Sequence, residues 1–204
     1  MITIIDYGLG NLRAFLNVYK RLNIPARTAA TVSELTNAEK LILPGVGAFD
    51  HAVDLLDASG MRPALNELVL GREVPVLGIC VGMQILARQS DEGERGGLGW
   101  IPGAVRRFEP TPGDAPLPLP HMGWNDVHPA KGNRLFAGLE VDARFYFLHS
   151  FYFSCERSTH VAAQADYGAP FTCAVNAGNI HGVQFHPEKS HHWGTRLLQN
   201  FAEL

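Results

Sequence analysis

Apolar positions along this chain follow one rhythm up to about Gly96 and a different one after it. Ile2–Ile5 is a short apolar run and predicts a strand. The turn Tyr7-Gly8-Leu9-Gly10-Asn11 follows, and Leu12–Leu22 then carries apolar residues at helical spacing. Asn11 is placed to cap that helix, because its side-chain oxygen can accept from amides of the first turn. Lys40–Leu43 is a second apolar run, broken by Pro44-Gly45-Val46-Gly47, and Ala48–Leu56 and Pro63–Leu70 read as helices. Val74–Ile79 is apolar throughout, as expected of a strand covered on both faces, and Val81–Arg88 reads as the helix after it.

Beyond Gly96 the segments shorten. Val105–Phe108, Phe145–Leu148, Tyr152–Ser154, Val161–Gln164, Cys173–Asn176 and Ile180–Phe185 are strand candidates, and Ser190–Leu204 reads as a closing helix. Pro110–Pro120 holds five prolines and a glycine and predicts a loop. Strands alternating with helices, followed by extra strands, predict an α/β fold. Its sheet is doubly wound and mostly parallel, with helices on both faces and antiparallel additions, within a single domain over residues 1–204. Sites in such sheets gather at the carboxyl ends of the parallel strands.

Composition narrows the setting. With 204 residues, 46% of them hydrophobic, the chain can bury a core of its own. A net charge of -3 without a long basic run offers nucleic acid no electrostatic footprint. No apolar stretch is long enough to span a membrane, and the first residues lack the features of a signal peptide. Three cysteines, scattered at 80, 155 and 173, do not make a disulfide framework, so the expected setting is cytosolic.

The chemistry collects at the strand ends. Gly78-Ile79-Cys80-Val81-Gly82-Met83-Gln84 puts a cysteine on the turn from a buried strand into a helix, with a glycine two residues to either side. This is the logic of a nucleophile elbow with a thiol in place of a hydroxyl. Amides at the helix start favour a thiolate, and the Val81 amide points to where an oxyanion would form. The bland reading of Cys80 is a buried structural thiol, which the elbow disfavours. Cys155 and Cys173 lie in ordinary strand contexts and are assigned to packing.

His186-Pro187-Glu188 ends the last predicted strand, and residues two apart on extended chain face the same way. An imidazole oriented by a carboxylate is the base a thiol nucleophile needs. Taken alone, the pair reads equally well as a strand-end histidine beside a solvated glutamate. Neighbouring His191 and His192 invite a metal reading, but nothing completes a ligand set at the usual spacing, so no metal is expected. In the Leu43–Phe49 loop, an amide at Val46 or Gly47 could supply a second oxyanion donor. The competing reading is a plain strand-to-helix turn.

Taken together, Pro44–Gly47, Gly78–Gln84 and His186–Glu188 resemble the class I, or triad, glutamine amidotransferases, which have a flavodoxin-like fold. The segments Ile4–Leu12, Pro44–Phe49, Gly97–Gly103, Pro120–Asn125 and Tyr146–Phe151 are most similar to glutaminase subunits of imidazole glycerol phosphate synthases. The resemblance implies that Cys80 attacks the glutamine carboxamide, that His186 shuttles protons and that Glu188 supports it. It further implies glutamine contacts at Gly47, Gln84, Glu92, Tyr146, His149 and Ser150, with Asp91 and Glu94 competing for the role of Glu92. Asn11, Met122, Trp124 and Lys189 match positions at the interface with a (β/α)8-barrel cyclase, in a heterodimer that receives the ammonia. For Trp124 the alternative is a core aromatic, and for Lys189 a solvated charge.

The resemblance also implies that the Val46 loop rests with a carbonyl where a donor is needed. Glutaminase activity then stays low until the cyclase binds and a peptide flips. No cofactor is implied. Two alternatives remain: a glutaminase serving anthranilate, aminodeoxychorismate or pyridoxal phosphate synthesis, and a non-catalytic subunit on the same fold. Pro44–Phe49 and His121–Asn125 speak against the first, and the intact Cys80, His186 and Glu188 against the second.

Overall fold

A computed structural model describes residues 1–109 and 117–204. Most of the predicted loop Pro110–Pro120 lies outside the described residues. The first half alternates strands and helices, with β2 and α2 added to the elements expected from the sequence: β1 (Ile2–Ile5), α1 (Leu12–Arg21), β2 (Ala26–Ala29), α2 (Val32–Leu35), β3 (Lys40–Gly45), α3 (Phe49–Ala58), α4 (Arg62–Asn66), β4 (Val76–Cys80) and α5 (Val81–Gln84). The second half adds β5 (Gln89–Ser90), β6 (Gly103–Arg107), β7 (His121–Asp126), β8 (His128–Pro129), β9 (Arg144–His149), β10 (Phe151–Cys155), β11 (Val161–Tyr167), β12 (Ala169–Ala177), β13 (Ile180–Val183) and α6 (His191–Glu203).

The main sheet has eight strands in the order β2-β1-β3-β4-β13-β12-β11-β8. The first five are parallel to one another, and β12, β11 and β8 extend the sheet in antiparallel fashion. This parallel set has the winding of a flavodoxin-like sheet. Every residue of β4 is buried, which is why Val76–Ile79 can be apolar on both faces. Its neighbours β3 and β13 end level with it: Gly45 is in register with Cys80, and Val183 with Ile79. The carboxyl ends of these three strands therefore converge.

Two smaller sheets flank this edge, β10-β6-β5 and the hairpin-like pair β7-β9. Phe145, Phe147 and Phe153 are fully buried, and Phe145 stacks on Phe185 with ring centroids 4.0 Å apart. Phe151 is only half-buried. The alternation of β7 puts His121 inward, while Met122 and Trp124 face solvent.

Several boundaries differ from the sequence expectation. The predicted helix Val81–Arg88 is a single turn, α5. The carbonyls of Ile85, Leu86 and Ala87 accept from Leu98, Ile101 and Gly99, so they do not serve amides further along a helix. The predicted helix Pro63–Leu70 begins as α4 and widens into a π-helical turn over Glu67–Gly71. The closing helix α6 matches its expected span to within a residue at each end. Asn11 caps α1 as predicted, accepting from the Ala14 amide.

Candidate active site

Glycine makes the turn at Cys80 possible. A Cβ placed on Gly82 would lie 1.9 Å from the Leu43 carbonyl oxygen, and one on Gly78 would lie 2.6 Å from the Gly82 oxygen. The helix start thus sits directly on β3 and β4, at a separation no side chain allows. Cys80 itself adopts φ 55 and ψ -115, a conformation that costs an L-residue on the order of 1–3 kcal/mol. The surrounding packing holds it there, with its thiol aimed into a cavity of about 350 Å³.

His186 follows β13, beside β4. Its amide donates to the Tyr146 carbonyl at 2.9 Å. The Ser190 hydroxyl donates to the His186 carbonyl at 2.6 Å and accepts from the Tyr146 amide at 3.0 Å. Nδ1 of the ring lies 2.9 Å from Oε1 of Glu188, and both side chains are buried. That contact fixes the tautomer and turns Nε2 toward Cys80. Burial alone lowers the imidazole pKa. Hydrogen bonding to Cys80 and Glu188, together with their charges, outweighs it and raises the pKa to about 10.

The Val46 loop is held at both ends. Tyr7 donates from its hydroxyl to the Pro44 carbonyl at 2.6 Å. Burial, with the Cys80 charge added, pushes the Tyr7 hydroxyl up, so it remains a donor. At the other end, Oε2 of Glu92 accepts from the Phe49 amide at 2.9 Å. Val46, Gly47 and Ala48 between them are exposed, and Gly47 takes φ +96 with open space around it. The Ala48 carbonyl accepts from the Ala52 amide at 3.1 Å, so the unclamped part of the loop is Val46 and Gly47.

Ten of the residues singled out from the sequence line the cavity: Val46, Gly47, Cys80, Val81, Gln84, Glu92, His149, Ser150, His186 and Lys189. Of the three competing acids, Glu92 is the one at the cavity wall. Asp91 pairs with Arg106 at 2.7 Å, and Glu94 is exposed. Asp50 braces the loop that carries Glu92 by accepting from the amides of Glu94 at 2.9 Å and Arg95 at 3.0 Å.

Tyr146 is the exception among the expected glutamine contacts. It is absent from the cavity lining; its ring lies 6.3 Å from Trp124, with Lys189 Nζ 5.7 Å above it. Its contribution is the backbone that anchors His186. His149 does reach the cavity, yet both ring nitrogens are engaged inside the protein. Nδ1 donates to the Phe151 carbonyl at 2.7 Å, so Nε2 is left to accept from His121 Nδ1 at 3.0 Å. Burial lowers His121 to about 4 and His149 to about 3, and both are neutral near pH 7.

Asn11, Met122 and Trp124 lie outside the cavity on exposed surface, where Trp124 stacks on His191 with centroids 5.1 Å apart. Met122 and Trp124 pair across the hairpin with Leu148 and Tyr146, and Leu148 and Lys189 belong to the cavity rim. The exposed apolar surface is therefore continuous with the mouth of the site. Sequence reasoning missed Ser190, Asp50 and Tyr7 as supports, and Pro120, Leu148 and Phe151 as lining. Their partners are distant in sequence, and no local pattern marks them.

Cys155 and Cys173 do not line the cavity; burial raises the first to about 11 and pushes the second up as well. Among the described residues, no group of three or more His, Cys, Asp or Glu side chains is placed to hold a metal ion, and no helix is long and apolar enough to cross a membrane.

Comparison with known proteins adds three findings. The family model for class-I glutamine amidotransferases matches residues 3–204. The chain is 60% identical over 204 residues to imidazole glycerol phosphate synthase subunit HisH of Bdellovibrio bacteriovorus, and 53% identical to that of Leptospira interrogans. Each alignment covers 100% of both chains. Among solved structures, one described as a glutamine amidotransferase superposes with a TM-score of 0.77 at 21% identity, covering 99% of this chain and 97% of that one. A glutamine amidotransferase from Thermotoga maritima gives 0.64 at 19% identity, covering 99% and 82%. These structural likenesses bear on the fold.

Proposed function

The chain belongs to the class-I glutamine amidotransferase family, and from that premise we propose that Cys80, His186 and Glu188 are its catalytic triad. The reaction is glutamine hydrolysis in the service of imidazole glycerol phosphate synthesis, as full-length relatives at 43–60% identity indicate. The match over residues 3–204 supports reading the chain as one amidotransferase domain.

One observation carries the triad: a thiol and a carboxylate-bound imidazole, from adjacent parallel strands, open onto one cavity. Near pH 7 the raised pKa of His186 keeps the Cys80 proton on its Nε2, so the cycle starts from a thiolate beside an imidazolium. Sulfur then bonds the carboxamide carbon, and the carbonyl π pair moves onto oxygen. The Val81 amide, free of a helical partner at the start of α5, and an amide of the Val46–Gly47 peptide receive that oxyanion. As the intermediate collapses, the C–N bond breaks and nitrogen takes the proton from His186, leaving as ammonia. Water gives its proton to His186 and attacks the thioester, glutamate departs, and the thiolate is restored. Glu188 keeps the imidazolium stable between these transfers.

Around this chemistry, Gln84, Glu92, Ser150 and the backbone at Gly47 hold the glutamine, and His149 shapes the wall beside them. The partner is a (β/α)8-barrel cyclase in a heterodimer, docked over Asn11, Met122, Trp124 and Lys189. Met122, 65% exposed, and Trp124, 39% exposed, make an apolar patch at the mouth, where a seal is needed. Ammonia escaping to water would be protonated and lose its nucleophilicity. Three free cysteines suit a reducing, cytosolic setting. The clamped ends and free centre of the Val46 loop support a partner-driven peptide flip.

Glutamate release, measured with and without the cyclase and its ribonucleotide, tests the reading. Release is expected to be slow from the chain alone and to rise when both are added. No rise would overturn the assignment to this synthase.

A further inference from the structure

Gln184 is fully buried and polar, and the mechanism gives it no part. Val183 of β13 is in register with Ile79 of β4, so the next step along each strand brings Gln184 beside Cys80. Nε2 of Gln184 lies 3.8 Å from Cys80 Sγ. Its Oε1 accepts from Gln84 Nε2 at 3.0 Å, and the same Gln84 nitrogen donates to the Phe151 carbonyl at 3.2 Å.

That backbone carbonyl settles which way both amides point. It can only accept, so the Gln84 group facing it is the NH₂. The same NH₂ faces Gln184 and requires an oxygen there. Gln184 must then turn its own NH₂ to the sulfur. A flipped Gln184 would set NH₂ against NH₂ and a carbonyl oxygen against the thiolate, two repulsive contacts in a buried site.

We infer that Gln184 is a further catalytic group, an amide donor to the nucleophilic sulfur whose orientation is fixed through Gln84 by the Phe151 carbonyl. The inference rests on Cys80 being the nucleophile. Two consequences follow for the reaction. An amide NH₂ cannot accept the thiol proton, so the proton has one destination, His186. When water has added to the thioester and the C–S bond breaks, the departing thiolate meets a donor already in place. Because α5 is a single turn, few aligned peptides stabilise the sulfur from the helix side, and a donor from β13 supplies what the helix does not. Gln84 spends its NH₂ on this relay, which leaves Oε1 as the atom it presents to glutamine. Substrate binding and sulfur orientation thus share one side chain.

Two variants separate a donor from a mere brace. Gln184→Met keeps the bulk and removes both polar ends. Gln184→Glu keeps an acceptor for Gln84 and removes the amide donor. In the complex with the cyclase, both are expected to lower kcat for glutamine hydrolysis by about ten- to a hundredfold, with KM changed less than about threefold. Iodoacetamide should also alkylate Cys80 more slowly at neutral pH. Co-elution of each variant with the cyclase in gel filtration serves as the folding control.

Full kcat in Gln184→Glu, or a loss confined to KM, would overturn the inference. If neither variant folds, side-chain amide NMR of the wild-type chain decides it. The Gln184 NH₂ resonances must move on Cys80→Ala substitution, and unmoved resonances overturn it. Glutamine hydrolysis retained by Cys80→Ala would instead remove the nucleophile assignment beneath it.

Discussion

His121 Nδ1 lies 3.0 Å from His149 Nε2, and one proton serves the contact between them. Both rings are neutral in the folded state, because burial holds His121 at about 4 and His149 at about 3; His181 is likewise lowered, to about 4. Unfolded histidine binds a proton near pH 6.5, so between these values the unfolded chain carries more protons. The stabilisation from the neutral rings is complete above about pH 6.5 and is lost as pH falls toward 4 and then 3. Each group contributes a slope of about 1.4 kcal/mol per pH unit. Urea unfolding at pH 7, 5.5 and 4.5 should show this decline, and His121→Phe should flatten it. An unchanged slope in that variant would contradict a neutral buried His121.

Gly82→Ala is expected to destabilise the fold by about 3 kcal/mol or more, because its Cβ would meet backbone on β3. Neither the helix start nor the strand can swing aside as a side chain would. Chemical denaturation of the variant measures the loss.

Glu188→Gln retains an acceptor for His186 Nδ1 but removes the charge that helps raise its pKa. The contribution of the protonated ring to stability is present below about pH 6.5 and lost as pH rises through about 10. In Glu188→Gln that window should narrow from its alkaline side. Turnover should fall about a hundredfold or more, since a triad acid mutated to its amide costs up to roughly 10⁴. Rate profiles against pH, in the presence of the cyclase, test both statements.

Cys80→Ala should abolish glutamine-dependent synthesis, by at least about 10³-fold, while the complex continues to use added ammonium salts. Product formation from each nitrogen source reads the loss, and gel filtration of the assembled pair distinguishes a missing nucleophile from a broken interface.

Trp124→Ala should weaken association with the cyclase by about tenfold or more, as expected for a large aromatic near the centre of an interface. Titration calorimetry with the separate proteins reads this directly. Glutamine hydrolysis per assembled complex should be affected less than assembly.

The parts of the fold legible in the sequence are those written in local pattern. Val76–Ile79 is identifiable because a strand covered on both faces needs no polar alternation. Cys80 ends β4 as its pattern predicts, but β13 stops at Val183 and Pro187–Lys189 forms a 3-10 turn, so it is this turn and not extended chain that brings Glu188 back to His186. β2 escapes notice because Ala-Arg-Thr-Ala, at the sheet edge, is only half-buried and has no apolar run. β7 shows only as a motif, since its inward His121 and outward Met122 invert the usual pattern. The length of α5 is illegible, because carbonyls taken by residues 98, 99 and 101 end it. Gln184 shows nothing in sequence, since its meaning depends on Gln84 and Phe151, brought alongside by the sheet.

The insertion of β13 between β4 and β12 bears on how the protein is made. On a ribosome, the Cys80 strand emerges long before residues 180–188 exist. Through that interval one edge of β4 is unpaired and the thiol has neither base nor amide donor. On the proposed assignment of the triad, Cys80 stays without its base until β13 is in place. The same interval has a hazard, because an apolar strand with an open edge invites pairing with other chains. Sealing that edge and arming the nucleophile are accomplished by the arrival of the same strand.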